Sequence, residues 1–217
     1  MRPLVAMTKY TGEKGKNAMH LTTLDESAIA AIGHAFGYYD YGEEIGLGAA
    51  CATPDKTARY ISGFARAMLR AGFLYTTSER GEGYIAYQLP GEKPKLTAYL
   101  PLLQGVFQAM SLREIWRFAR VMQRAGTGLR DRYKREKKPH IYVSMVCVLE
   151  AYQGQGYMRQ VLEIAFQEGK RLHVPVILET DAKSKCDKYV HLGMTLAGTR
   201  DAGELGTLYD LIRYPAE

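Results

Sequence analysis

The sequence predicts an α/β fold, and three observations carry the prediction. Residues 141–148, IYVSMVCV, form an unbroken β-branched and apolar run that reads as a buried strand. A glycine turn follows, and the period then changes: Met158, Val161, Leu162, Ala165 and Phe166 recur at helical spacing on one face. Residues 174–178, VPVIL, return to the strand pattern, so strand, glycine turn, helix and strand stand in order. Gly169 is expected to break the helix near its end.

The other elements are placed around this unit. A short strand is expected at residues 19–21. Thr23 offers an N-cap with Glu26 three residues on, a capping box for a helix that runs to about Gly37. Ile29, Ile32 and Phe36 line one face of it. The aromatic, glycine-flanked GYYDYGEEIG that follows suits a loop. Thr53-Pro54 starts a second helix, with Ile61, Phe64, Ala65 and Met68 as its buried stripe and Gly72 at its end. Residues 73–77 and 83–89 flank the polar turn SERGE as an antiparallel hairpin. Residues 96–138 read as a helical insertion. Residues 96–110 are largely apolar, and Ser111 with Glu114 forms a capping box. Leu112, Ile115, Trp116, Ala119 and Met122 then give an apolar stripe, stopped by Gly126 and Gly128. Its core-packing reading leads over a cover for the cleft or a dimer contact. Residues 195–199 and 206–214 should be the last two strands, with a turn at Asp201-Ala202-Gly203.

The chain has 217 residues, enough for one domain with a full core, and one domain over 1–217 is expected. Hydrophobic content of 47% and charged content of 24% suit a globular protein. No segment reaches the roughly 18–20 apolar residues that span a bilayer. The basic stretch 1–16 lacks a secretory apolar core, and a cytoplasmic location is expected. Cys51, Cys147 and Cys186 are odd in number and lack metal-ligand spacing, which argues against a disulfide framework and for no metal. The net charge of +6 modestly favours anionic ligands.

Glycines 154 and 156 remove side chains where a strand hands over to a helix. Backbone N–H groups can then converge on an anion at the positive helix end, a pyrophosphate cradle. No Lys-Ser/Thr follows the glycines, as a nucleotide P-loop requires, and no G-x-G-x-x-G with a downstream acid is present. The stretch Tyr152-Gln153-Gly154-Gln155-Gly156-Tyr157-Met158 resembles the Gln/Arg-x-x-Gly-x-Gly/Ala loop of the GCN5-related N-acetyltransferase (GNAT) family. Met158 stands where that family has Gly or Ala. The block Tyr189-Val190-His191-Leu192-Gly193-Met194 is similar to the family's Tyr-x-x-x-Gly-Phe, with Met for Phe. The resemblance covers residues 140–214 well and the first half in outline. It implies the acyl-CoA N-acyltransferase fold, a mixed and mostly antiparallel sheet flanked by helices, here with an insertion before the fourth strand.

The resemblance also implies an activity: transfer of an acetyl group from acetyl-CoA to a primary amine by direct attack through a tetrahedral intermediate. Residues 153–158 would hold the pyrophosphate, giving Gln153, Gly154, Gln155, Gly156, Tyr157 and Met158, with Arg159 beside them. Met145 to Val148 would lie where the fourth strand splays from the fifth, so Val146, Cys147 and Val148 would meet the pantetheine arm and polarise the thioester. Tyr189 matches the family's general acid. Glu150 and Glu179, each at a strand end, are the candidate bases, weighed against surface or ion-paired carboxylates. Tyr38, Tyr39, Asp40 and Tyr41 are the candidate acceptor site, aromatic and acidic enough to suit an amine. Where the family often has an Asn before the tyrosine, this chain has Ala182, Ser184, Lys185 and Cys186. Ser184 or Lys185 is expected to substitute. His140 and His191 read as structural, Cys147 as core and Cys186 as a bystander.

Two other readings compete. One is a non-catalytic acyl-CoA-binding sensor. The other is a nucleic-acid-binding protein that uses the basic run at 130–138, with Tyr133 inside it. A solvated helix end, or a basic rim for the cofactor's 3′-phosphate, is preferred for that run. The acceptor is a small-molecule or peptide amine, no membrane partner is expected, and a homodimer is left open.

Overall fold

The computed structural model describes residues 19–215. The basic stretch at 1–16 lies outside them. One seven-stranded sheet organises the rest: β1 (Met19–His20), β2 (Leu74–Thr76), β3 (Gly83–Gln88), β4 (Ile141–Val148), β5 (Val176–Thr180), β6 (Thr195–Asp201) and β7 (Thr207–Arg213). Their order is β1-β2-β3-β4-β5-β7-β6. Every neighbouring pair is antiparallel except β4–β5, which is parallel. The parallel pair needs a crossover, and α6 (Tyr157–Leu172) supplies it.

Helices cover both faces. On one, Val161, Leu162, Ala165 and Phe166 of α6 and Cys186 and Tyr189 of α7 (Lys183–His191) pack on Ile141, Val143 and Leu178. On the other, α1 (Glu26–Gly37) and α2 (Pro54–Ala71) bring Ile32, Ala65 and Met68 onto Leu74, Ala86, Met145 and Cys147. β4 serves both cores, and a bulge sets which of its residues face which. Ala86 pairs with Met145 but Tyr87 pairs with Val143, so Ser144 has no ladder partner. The extra residue flips the alternation, turning Val143 to the α6 face and Met145 and Cys147 to the α1–α2 face.

Three local expectations are corrected. The N-cap of α1 is Asp25, not Thr23: Ala28 N–H donates to Asp25 Oδ1 at 2.7 Å. Glu26 is then the first helical residue, and it pairs with Arg66 of α2 rather than closing a capping box. Gly169 does not break α6, which continues to Leu172. A Cβ at Gly169 would come within 2.7 Å of Val176 Cγ2, so the glycine lets the helix lie close on β5. Finally, β5 runs from Val176 to Thr180 instead of 174–178, which carries its end further toward the site.

The insertion forms α3 (Leu100–Ala109), α4 (Leu112–Arg124) and α5 (Leu129–Arg135) between β3 and β4. The capping box of Ser111 and Glu114 at the start of α4 is present. α3 crosses α2 tightly, since a Cβ on Gly105 would lie 3.1 Å from Gly63 Cα. The buried side of α4 is only partly the expected stripe. Val121, Ala125, Ile115, Phe118 and Met122 pack with Ala202, Leu205 and Leu208. Leu112 is 75% and Trp116 63% exposed, and Ala119 also faces out. The helix meets a narrow surface, the β6–β7 turn, so a smaller sector is buried than the apolar sector the sequence offers.

Candidate active site

The strand geometry opens the site. Pairing between β4 and β5 ends at Val143–Leu178, although β4 continues to Val148 and β5 to Thr180. Beyond that point the two strands diverge, starting where Ser144 bulges. The gap belongs to a cavity of about 930 Å³ lined by residues 143–148, 178–181, 152–154 and 156–159, by Tyr189, and by α1 and α2. Its size is that of a small-molecule or cofactor site.

The glycine loop forms one end. Gly154 (φ 74°) and Gly156 (φ 82°) both lie in the left-handed region, where a side chain is strained. Gly156 is the N-cap of α6, and no side chain caps that helix. By contrast Asp25, Thr53 and Ser111 cap α1, α2 and α4 through their side chains. The N–H groups at the start of α6 are therefore left for an external acceptor, with the helix dipole adding to their pull. No atom lies within 4 Å of where a Cβ would stand on either glycine, so the cradle is open. These residues fit a pyrophosphate.

The start of α7 is treated differently. Glu44, from the loop after α1, accepts from Lys183 N at 2.7 Å, Ser184 N at 3.1 Å and Ser184 Oγ at 2.6 Å. Further along α7, Tyr189 is 8% exposed and borders the cavity. Burial raises its phenol above the ordinary value of 10, and the neighbouring Asp181 charge adds to the rise. Asp181 lies just past the end of β5. It accepts from Tyr41 OH at 2.8 Å and from Lys185 Nζ at 2.8 Å, and Lys185 Nζ also donates to Tyr41 OH at 2.8 Å. The Lys185 ammonium stands 4.2 Å from the centre of the Tyr41 ring and 4.5 Å from that of Tyr39. Burial and Asp181 raise Tyr41 as well.

Residues 115–186 match the family model described as "Acetyltransferase (GNAT) family". By that match, this segment is a GNAT acetyltransferase domain. The matched segment starts in α4 and holds the splayed strands and the glycine loop, while Tyr189 lies just beyond it. A search of curated proteins finds no match. Among solved structures, the chain is similar to one titled histone acetyltransferase HPA2 and related acetyltransferase from Corynebacterium glutamicum. The identity is 15%, the coverage 100% of this chain and 98% of that one, and the TM-score 0.55. It is also similar to PH1933 from Pyrococcus horikoshii, at 12% identity over 92% of this chain and 98% of that one, with a TM-score of 0.52. These likenesses support the GNAT fold.

Around this cavity the structure gathers some of the expected residues and disperses others. Val146, Cys147, Val148, Gln153, Gly154, Gly156, Tyr157, Met158, Arg159 and Tyr189 all border the cavity, as do Tyr39, Tyr41 and Glu179. Gln155 does not: its amide donates to Ala151 O at 2.9 Å and braces the loop. Ser184 is turned away by its bonds to Glu44, so it does not substitute for the family's asparagine. Tyr38 is exposed and donates to Asp55, while Asp40 is exposed and accepts from Gly42 N, so neither faces the cavity. Glu150 is exposed and off the cavity wall. Glu179 is on the wall but is paired with Arg200, which also bonds Asp210. His191, read as structural, borders the cavity, whereas His140 rests against Tyr133 and bonds Lys138 O. Cys147 and Cys186 sit in the two cores.

Asp181, the residue that sequence reasoning missed, had a faint signal. It follows Glu179 by two positions, and with the strand ending at Thr180 it is Asp181 that stands at the mouth. The basic run at 130–138 does not border the cavity. There Arg130 stacks on Tyr142 at 3.9 Å and bonds Gln88, and Lys138 pairs with Glu136. Among the described residues, no group of three or more His, Cys, Asp or Glu is placed to hold a metal ion. No described helix is long and apolar enough to cross a membrane.

Proposed function

We propose that this protein transfers the acetyl group of acetyl-CoA to a primary amine. One observation carries the reading: the β4–β5 gap, the uncapped start of α6 and Tyr189 border a single cavity. Acetyl-CoA supplies the thioester that an amine can attack. The N–H groups of 154–158 would hold its pyrophosphate, and Arg159 stands beside them. The backbone of 145–148, released from β5, would take the pantetheine arm in the manner of an added strand. An N–H from Val146, Cys147 or Val148 would then face the thioester carbonyl, where negative charge develops.

An ammonium must lose a proton before it can attack. Glu179, Asp181 and Asp187 are the carboxylates on the cavity wall; Arg200 holds Glu179, and Lys183 holds the exposed Asp187. Asp181, paired with Lys185 but near enough to Tyr189 for its charge to act on that phenol, is our assignment for the base, its two oxygens accepting from Lys185 and Tyr41. Tyr189 would act on the leaving sulfur. Its raised value keeps the phenol protonated at neutral pH. An ordinary thiol has a pKa near 8.5, so full proton transfer from such a phenol runs uphill. Its contribution is chiefly a hydrogen bond donated to the departing thiolate.

Calorimetric titration of acetyl-CoA against free CoA and ATP, at two salt concentrations, tests the reading. Saturable micromolar binding of acetyl-CoA, absent for ATP, is expected, with thiol release on adding amine. Asp181→Asn should slow that release at least tenfold, whereas Glu150→Gln should leave it unchanged. Absence of acetyl-CoA binding would overturn the reading.

A further inference from the structure

We infer that the amine acceptor carries an apolar, aromatic-sized body, and that the insertion helps to select it. The inference rests on the acetyl-transfer reading and names the substrate class for the same site. The cavity has two chemically distinct ends. Arg159, Glu179, Asp181, Lys185, Asp187 and Lys188, its charged lining residues, come from α6, β5 and the segment through α7. The opposite walls come from α1, α2, the loop between them and the insertion, and they contribute no charge. There Phe36, Tyr60, Ile61, Phe64, Met110 and Phe118 surround the space.

A ligand with several ammonium groups has no favourable place at that end, because moving a charge onto apolar walls is costly without a partner. The two tyrosine faces next to the charged lining are already used. Tyr39 and Tyr41 carry the protein's own Lys185, and Asp181 is bonded to the same lysine. An apolar body is instead stabilised in proportion to the surface it buries, at about fourfold in affinity for each methylene. The insertion completes this end. Met110 lies between α3 and α4, Phe118 lies on α4, and both belong to the small core that fixes the insertion against the β6–β7 turn. The pouch thus favours size and apolarity over charge.

The test uses the unaltered full chain, acetyl-CoA and a panel of amines, with thiol release as the readout. The panel pairs a phenylalkylamine series and n-alkylamines with spermidine, an aminoglycoside and a lysine peptide. The phenylalkylamines should exceed the polycations in kcat/KM by at least tenfold, rising about fourfold per methylene until the pouch is filled. Phe118→Asp should reverse the order by a similar factor while leaving the Kd for acetyl-CoA unchanged. Hexanoyl-CoA should bind no more tightly than acetyl-CoA. Tighter binding would give the pouch to the acyl chain and overturn the inference. Equal or better use of polycations, with acetyl-CoA still bound, would also overturn it and leave acetyl transfer standing. Failure of acetyl-CoA itself to bind would remove the underlying reading instead.

Discussion

The two ends of the cavity are built in opposite ways. The end around β4, α6 and the glycine loop comes from one continuous stretch, residues 141–159, and its working groups are backbone N–H and C=O groups. The other end collects side chains from α1, α2 and the insertion, residues far apart in sequence. Backbone chemistry needs a bulge, two left-handed glycines and an uncapped helix. The glycines and the helix start leave a local trace in the sequence, although the bulge at Ser144 does not. Side-chain chemistry needs only that distant residues meet, and that leaves none. A backbone site can bind one cofactor in many proteins, while the side-chain wall sets which acceptor enters.

Removing the link between the two ends should have the largest effect. Arg200 is nearly buried, pairs with Glu179 and Asp210, and donates to Gly126 O in the insertion. Arg200→Ala would strand two carboxylates and cost roughly 3–5 kcal/mol. Thermal denaturation should show a drop on the order of 10 °C for a chain of this size. An unchanged Tm would mean that the insertion and the sheet hold together without it.

Gly156→Val separates the ends more cleanly. No neighbour would clash with the new side chain, so the penalty is the left-handed backbone, about 1–2 kcal/mol. Acetyl-CoA affinity should fall roughly 100-fold as the helix start closes over. Urea denaturation with calorimetry reads both quantities. If affinity holds, the cradle lies elsewhere.

Tyr189→Phe should reduce kcat by roughly 10- to 100-fold, about what a lost hydrogen bond to a charged group gives, with the Kd for acetyl-CoA unchanged within about twofold. Single-turnover kinetics would show it. An unaltered kcat would leave Tyr189 as a packing residue and revive the sensor reading.

The smallest effect is on pH dependence. Burial raises Tyr41, Tyr84, Tyr87 and Tyr189, and pushes the Cys147 thiol up to about 12. In the unfolded chain these groups titrate near 10 for phenols and 8.5 for thiols. Above those values the unfolded state holds fewer protons than the folded one. Stability should therefore be flat up to about pH 8.5 and decline as pH rises further. Melting curves from pH 7 to 10 check the sign, and stability that rises with alkali would contradict the burial of these groups.

The sequence by itself determined the local devices. The run IYVSMVCV is β4 to the residue, Thr53-Pro54 and Gly72 bound α2, and the Ser111–Glu114 box starts α4. Gly154 and Gly156 mark a turn that few other residues tolerate. Such features act within about one turn or strand, so nearby residues suffice to reveal them. Only the tertiary structure decided which carboxylate faces the cavity. Glu150, Glu179 and Asp181 look alike in sequence, yet one is exposed, one is held by Arg200, and one stands between Tyr41 and Lys185. It also decided that α4 turns Leu112 and Trp116 outward, and that Glu44 claims Ser184 across 140 positions. Each of these outcomes depends on what a partner from a distant element offers. A side chain's role is settled by that partner, and the partner is known only once the chain has folded.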